Sequence, residues 1–219
     1  MSNSKDIRDR NVSNGVLILN RTQFGTHVDT FEYTRHLSRS RHVTYVCWDY
    51  GHERRTCDGA TIVYVSRTGS KPVRYLRFLI ACIREARRPY SLGFFQYFPG
   101  CSLVKLTGRV PHWIFDIRSG RLSDSAFKNR IYNLMVRTEA LLFRNISVIS
   151  ASLAELMGFD RKRVHILPLG ADPLSAQQKT FGKGFRLLYV GTLHLRKIDL
   201  TLRGLARFIE NDAEHRIER

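Results

Sequence analysis

The sequence predicts an α/β fold: a mostly parallel β-sheet covered by helices on both faces. Two patterns point to it. Short aliphatic, β-branched or aromatic runs recur along the chain, each ending in a polar or glycine-containing loop, as buried parallel strands do. Between several of them lie stretches whose apolar residues return at helical spacing. Strands alternating with helices at these lengths assemble into a mostly parallel sheet. The composition, 43% hydrophobic and 25% charged, is that of a packed globular core rather than a disordered chain.

The elements follow in order. "GVLILN" (15–20) is the first strand. In the loop after it, Gly25 precedes Thr26, which reads as an N-cap with Asp29 three residues on, opening a helix that runs to about Leu37. "HVTYVCWDYG" (42–51) and "ATIVYVS" (60–66) are two further strands. Between Lys71 and Arg88, Leu76, Leu79, Ile80 and Ile83 recur at helical spacing, while Arg74, Arg77, Arg84, Arg87 and Arg88 fall largely on another face. "SLGFFQYF" and "HWIFDIRSG" are apolar runs closed by polar residues. Phe127, Ile131, Leu134, Met135 and Leu142 mark a long helix ending near Arg144. "ISVISAS" reads as a strand, "LAELMGF" as a short helix and "RVHILPLGADP" as a strand entering a turn. The polar segment 171–185 reads as an interdomain linker. "RLLYVGTLHLRKIDLTLRGLARFIE" (186–210) then reads as a buried strand, a glycine turn and a helix. In such sheets ligands bind at the carboxyl ends of the strands, which singles out Gly25, Asp116, Ser150 and Gly170.

Composition excludes several classes. The cysteines Cys47, Cys57, Cys82 and Cys101 form no CxxC pair and read as reduced thiols of a cytoplasmic protein. The histidines show no metal-ligand spacing, so no metal and no cofactor is expected. The polar first residues lack a signal-peptide core, and no apolar run is long enough to span a membrane. "RTQFGTH" after the first strand has one glycine and no GxGxxG, which excludes a nicotinamide-dependent reductase. With 36 Lys and Arg against 19 Asp and Glu, the net charge of +17 attracts anionic partners without choosing among them.

Three segments together carry a resemblance: "VLILNRTQFGTHVDTFEYTRHLSRSRHVTYV", "VISASLAELMGFDRKRVHILPLGADP" and "LLYVGTLHLRK". In order and spacing the chain resembles family 4 glycosyltransferases of the GT-B architecture, which pair two Rossmann-like domains. The resemblance implies a doubly wound acceptor-binding domain over 1–170, the linker, and over 186–219 the start of a nucleotide-sugar-binding domain whose remainder is absent. It also implies sugar transfer from a nucleotide-sugar to a glycan or lipid-linked acceptor, with retention of configuration and without metal. Gly25 and Gly191 match glycines where backbone approaches the sugar-phosphate. Lys197, with Arg196 beside it, matches the lysine that neutralises the departing diphosphate. Thr192 stands where the family usually has arginine, and Ile198 where glycine often follows the lysine. The pair of glutamates that the family carries deep in its second domain has no counterpart here. Ser150 and Gly170-Ala171-Asp172 match architectural positions.

Asp116 and Arg118 in "FDIRSG", with Ser119, sit where an acceptor-side acid or phosphate contact belongs; the alternative is a turn-capping Asp116 and a solvated Arg118. His27, beside Gly25, is a candidate acceptor contact or a surface histidine, and His112 reads as structural. The arginines of 71–88 suit either docking onto anionic headgroups, which would place the protein on the inner face of the membrane, or a solvated basic face. A second function class is a noncatalytic basic module for nucleic acid, with Trp48, Tyr50 and Phe95 as stacking platforms.

Overall fold

A computed structural model describes residues 14–120, 125–169, 187–190 and 198–211. The chain divides into two compact units, Met1–Ala171 and Asp172–Arg219. The first holds a seven-stranded sheet of β1 (Val16–Leu19), β2 (Val43–Asp49), β3 (Ala60–Ser66), β4 (Leu92–Gln96), β5 (His112–Ile117), β6 (Asn145–Val148) and β7 (Val164–Ile166). Their spatial order is β3-β2-β1-β4-β5-β6-β7. Every neighbouring pair is parallel. This is the doubly wound, Rossmann-like order, in which the chain reverses its direction of winding between β1 and β4.

Strand side chains alternate between two cores. Leu17, Leu19, Val46, Trp48, Phe95, Trp113, Phe115 and Ile117 join the larger core, with Phe78 and Cys82 of the helix α2 (Lys71–Ala86). Val16, Ile18, Val43, Tyr45, Cys47 and Phe94 face the smaller one, against Phe31, Tyr33 and Leu37 of α1 (Val28–Leu37). Among the described residues the other α-helices are α3 (Cys101–Thr107), α4 (Ala126–Ala140), α5 (Ala151–Met157) and, in the second unit, α6 (Ile198–Asn211).

Several elements depart from the sequence expectation. The N-cap of α1 is His27, not Thr26: the His27 carbonyl accepts the first helical bond, from the Phe31 amide at 3.1 Å, and its backbone is extended as a cap requires. On α2, Leu79 and Ile83 do pack on the core, but Leu76 and Ile80 are 59% and 57% exposed. The buried stripe is instead Phe78, Cys82, Glu85 and Ala86, with Glu85 held by the Tyr90 hydroxyl at 3.0 Å and Arg88 at 3.3 Å. The apolar residues that mark α4 likewise point outward, while Val136 and Ala140 join the larger core, and the helix ends at Ala140 rather than near Arg144. Helix α3 had no sequence signal: seven residues are too few to display a period. Its start is fixed from outside, by the Glu139 carboxylate accepting from the Gly100 and Ser102 amides at 2.8 and 2.9 Å.

Residues 187–190, expected in a buried strand, pair with no described strand, and Leu188 and Val190 are 86% and 83% exposed. An apolar run becomes a strand only beside a partner that takes up its backbone groups. Gly170, Ala171, Asp172, the linker 171–185, Gly191, Thr192, Arg196 and Lys197 lie outside the described residues.

Candidate functional site

The carboxyl ends of the strands carry a row of polar side chains on the α1 face of the sheet. Register sets it: Gln96 lies beside Asp116, and Asp116 beside Ser147. Asn20, one residue beyond the β1–β4 pairing of Leu19 with Phe95, extends the row across the switch point. Asn20 is almost fully buried, and its amide nitrogen reaches Gln96 Oε1, Tyr45 Oη at 2.9 Å and Thr30 Oγ1 at 3.4 Å. Its Oδ1 accepts from the Thr22 amide at 2.9 Å, which bends the chain off β1 into the loop 20–27.

Gln23, also buried, fastens that loop from the far side. It donates to the His52 carbonyl at 2.9 Å and accepts from the Tyr50 amide at 2.6 Å. Gly25 then takes the left-handed conformation at φ +87°, and a Cβ there would meet Arg55 Cδ at 2.5 Å. The close approach at Gly25 in this structure is thus to the Arg55 stem. His27 is exposed at the loop's end, with Nδ1 at 3.5 Å from Gln96 Nε2.

Arg118, just past β5, joins the row to α1. Its Nε donates to Asp116 Oδ2 at 2.7 Å, its Nη1 donates to the Leu167 carbonyl at 3.1 Å and stands 4.0 Å from Asp29, and its Nη2 donates to the Tyr33 hydroxyl. Its guanidinium also lies over the Tyr33 ring at 5.4 Å. One side chain therefore ties β5, α1 and the segment after β7. Burial opposes its charge, but Asp116 and Tyr33 outweigh that and hold its pKa above the usual arginine value.

Asp116 is fully buried, and burial raises its carboxyl above the usual aspartate value although Arg118 pulls the other way. Its Oδ1 has no hydrogen-bond partner among the described residues, and neither has the neighbouring Ser147 Oγ. Burial likewise raises the Tyr33 phenol, against the pull of Arg118. Ser119, the next residue after Arg118, is exposed.

The structure thus brings His27, Asp116 and Arg118 to one crevice, with Gly25 shaping its loop. The sequence reading did not single out Asn20, Gln23, Tyr33, Gln96 or Ser147, which complete it. Asn20 follows β1 and Gln96 ends β4, so those two had a positional signal; Gln23 in the loop, Ser147 within β6 and Tyr33 within α1 had none. Ser150 is structural, its Oγ accepting from the Leu153 amide at 3.2 Å as the N-cap of α5. Among the described residues no group of side chains could hold a metal ion. The crevice offers a ring nitrogen, an amide, a guanidinium edge and a hydroxyl. That set of short-range donors and acceptors fits a polyhydroxylated ligand, and it contains no activated nucleophile.

On α2, Arg77, Arg84 and Arg87 share their exposed face with Val73, Leu76 and Ile80; Arg74 is half-buried, and Arg88 pairs with Glu85. Arg77 Nη1 also donates to the Thr68 carbonyl and hydroxyl, both at 3.1 Å, and so pins the loop after β3. No described helix is long and apolar enough to cross a membrane. Of the proposed stacking aromatics, Phe95 is fully buried and Trp48 nearly so; Tyr50 is 40% exposed.

No protein-family model matches the sequence, and no curated protein does. Among solved structures, the chain is similar to Anabaena HepE, solved in complex with UDP and glucose, with a TM-score of 0.51 and 8% identity over 73% of this chain. The chain spans 45% of HepE. A DNA/pantothenate metabolism flavoprotein from Streptococcus pneumoniae is 12% identical over 64% of this chain and 81% of its own, with a TM-score of 0.38. The first likeness, at so low an identity, is a likeness of fold; the second is too slight to carry an argument.

Proposed function

We propose that the chain is a glycosyltransferase of the GT-B kind, or a part of one, and that its first unit binds the acceptor. The observation that carries this reading is the polar crevice at the carboxyl ends, at the switch point of a sheet similar in fold to that of HepE. His27, Arg118 and Ser119 would bind acceptor hydroxyls. Asp116, engaged by Arg118, acts as a positioning residue that fixes the guanidinium. In the second unit, Gly191, Arg196 and Lys197 would take the diphosphate of the donor. The bond from the anomeric carbon to that diphosphate breaks, and one to an acceptor hydroxyl forms with configuration retained. The hydroxyl proton leaves with the nucleoside diphosphate or passes to solvent. Cationic side chains, without a metal, offset the charge that builds on the leaving group. The acceptor is a glycan or a lipid-linked sugar; for the latter, the mixed arginine and apolar face of α2 would rest on anionic headgroups of the inner membrane surface.

The test is to incubate the full chain, in EDTA, with UDP-, GDP- and ADP-sugars and a panel of oligosaccharide and lipid-linked acceptors. Acceptor-dependent release of nucleoside diphosphate, with retained anomeric configuration and a loss in Lys197→Ala, supports the reading. The absence of transfer and of carbohydrate binding, together with salt-sensitive binding of single-stranded DNA, would overturn it in favour of a basic nucleic-acid module. The burial of Trp48 and Phe95 weighs against that alternative.

A further inference from the structure

On the other face of the sheet, the carboxyl ends of β1, β2 and β3 gather a second cluster that the crevice does not use. Arg21, following β1, places its guanidinium carbon 5.6 Å from the Trp48 ring centre. Arg67, following β3, places its own 5.4 Å from the same ring and 3.8 Å from that of Tyr50. Tyr50 stacks on His52, the planes 3° apart, and stays 40% exposed. Two cations therefore stand against one indole at the end of β2.

What makes the cluster unusual is the lack of a counter-charge. Neither arginine forms an ion pair or a hydrogen bond with any described residue, and Arg67 Nε is buried without an acceptor. Asp49, between the two aromatics in sequence, is already engaged by Arg54 at 2.5 Å. The aromatic faces satisfy the planes of the guanidinium groups, but not their N–H edges. Two like charges brought to one ring repel, and buried donors normally find partners. The loop that carries Arg67 is held in place by the bonds from Arg77 to Thr68, so its position is built rather than incidental.

We propose that Arg21, Arg67, Trp48 and Tyr50 form a binding site for a phosphate-bearing ligand. The two guanidinium edges take the phosphate oxygens, and exposed Tyr50 packs against the group attached to them. Guanidinium groups suit phosphate because their paired N–H donors match its oxygens. The assignment rests on these four side chains and not on the transferase reading. A chain that transfers no sugar would still bind phosphate here.

The test is calorimetric titration of the full chain with inorganic pyrophosphate, with intrinsic tryptophan fluorescence, to which Trp48 and Trp113 both contribute, as a second readout. Pyrophosphate binds the wild type saturably. Arg21→Gln and Arg67→Gln each weaken it about tenfold, as the loss of a charge-assisted hydrogen bond predicts. Arg130→Gln, at an exposed position of α4, leaves it unchanged, and melting curves confirm that each variant is folded. Arg67→Lys separates charge from geometry: it loses affinity although the charge remains. Titration with UDP and with geranyl diphosphate then distinguishes the source of the phosphate, nucleotide or lipid, by which of the two binds more tightly. Absence of pyrophosphate binding by the wild type, or affinities unchanged in folded Arg21→Gln and Arg67→Gln, would overturn the proposal.

Discussion

Gly93 shows how one residue can decide a local packing. It lies on β4 directly under Trp113, and a Cβ there would meet the indole at 2.1 Å. Trp113 in turn stacks on Phe95 with ring centres 4.3 Å apart. Gly93→Ala is expected to cost about 1–3 kcal/mol by overpacking, read from urea denaturation midpoints. A variant as stable as the wild type would mean that the indole moves freely. Asp116 gives a pH-dependent prediction. Its carboxyl keeps a proton to higher pH in the folded chain than in the unfolded one, because burial penalises the charge. From the ordinary aspartate value of 3.8 upward, the native state therefore binds more protons, and stability falls as pH rises through the raised folded value. Asp116→Asn lacks that contribution, so its stability should fall less over the same window. Parallel curves would show that Arg118 compensates the buried charge fully. Asp116 and Arg118 were legible in the sequence because they end a strand. Tyr33 and Gln23 were not, because only the folded chain reveals what stands beside them.

At the scale of elements, the strands were the most legible part. Each is a continuous apolar run, and the environment on both faces of a covered parallel sheet demands that pattern. The helices were legible as helices but not in their orientation. On α2 and α4 the apolar arc is wider than the contact stripe, so Leu76, Ile80, Ile131 and Leu134 remain exposed while Cys82, Ala86 and Ala140 are buried in the larger core. Such small buried residues leave no strong periodic signal. Helix α3 is the limiting case, since its cap comes from Glu139 of α4, which is 37 residues from Ser102 and 39 from Gly100 in sequence. Glu139→Ala removes two amide acceptors and the bond from the Ser102 hydroxyl. It is expected to cost about 1–2 kcal/mol, as the loss of a capping side chain does, with faster amide exchange across Cys101–Thr107 as the local signature. Unchanged exchange in that helix would show that Gly100 suffices to start it.

For the whole molecule, the strand order places two polar assemblies at one end of the sheet. The β1–β4 reversal opens the crevice of His27, Gln96 and Arg118 on the α1 face, while Arg21 and Arg67 gather on the α2 face. Sequence reasoning reached the fold through the alternation of its elements and reached the crevice through the carboxyl-end rule. It read the arginines of α2 as one group, either a face that docks on anionic headgroups or a solvated basic face. The structure divides that group: Arg77 holds a loop, Arg88 pairs with Glu85, and Arg84 and Arg87 remain on the outer face. The central claim is that the crevice holds the hydroxyls of a sugar acceptor. Its most direct test is ligand-observed NMR of the full chain with a panel of oligosaccharides and short-chain lipid-linked sugars, repeated with His27→Ala. His27 is exposed, so its replacement leaves the fold intact. The account predicts saturable binding of at least one saccharide, weakened about fivefold to tenfold in the variant, as the loss of one hydrogen bond implies. Absence of saccharide binding, or affinities that His27→Ala leaves unchanged, would contradict it.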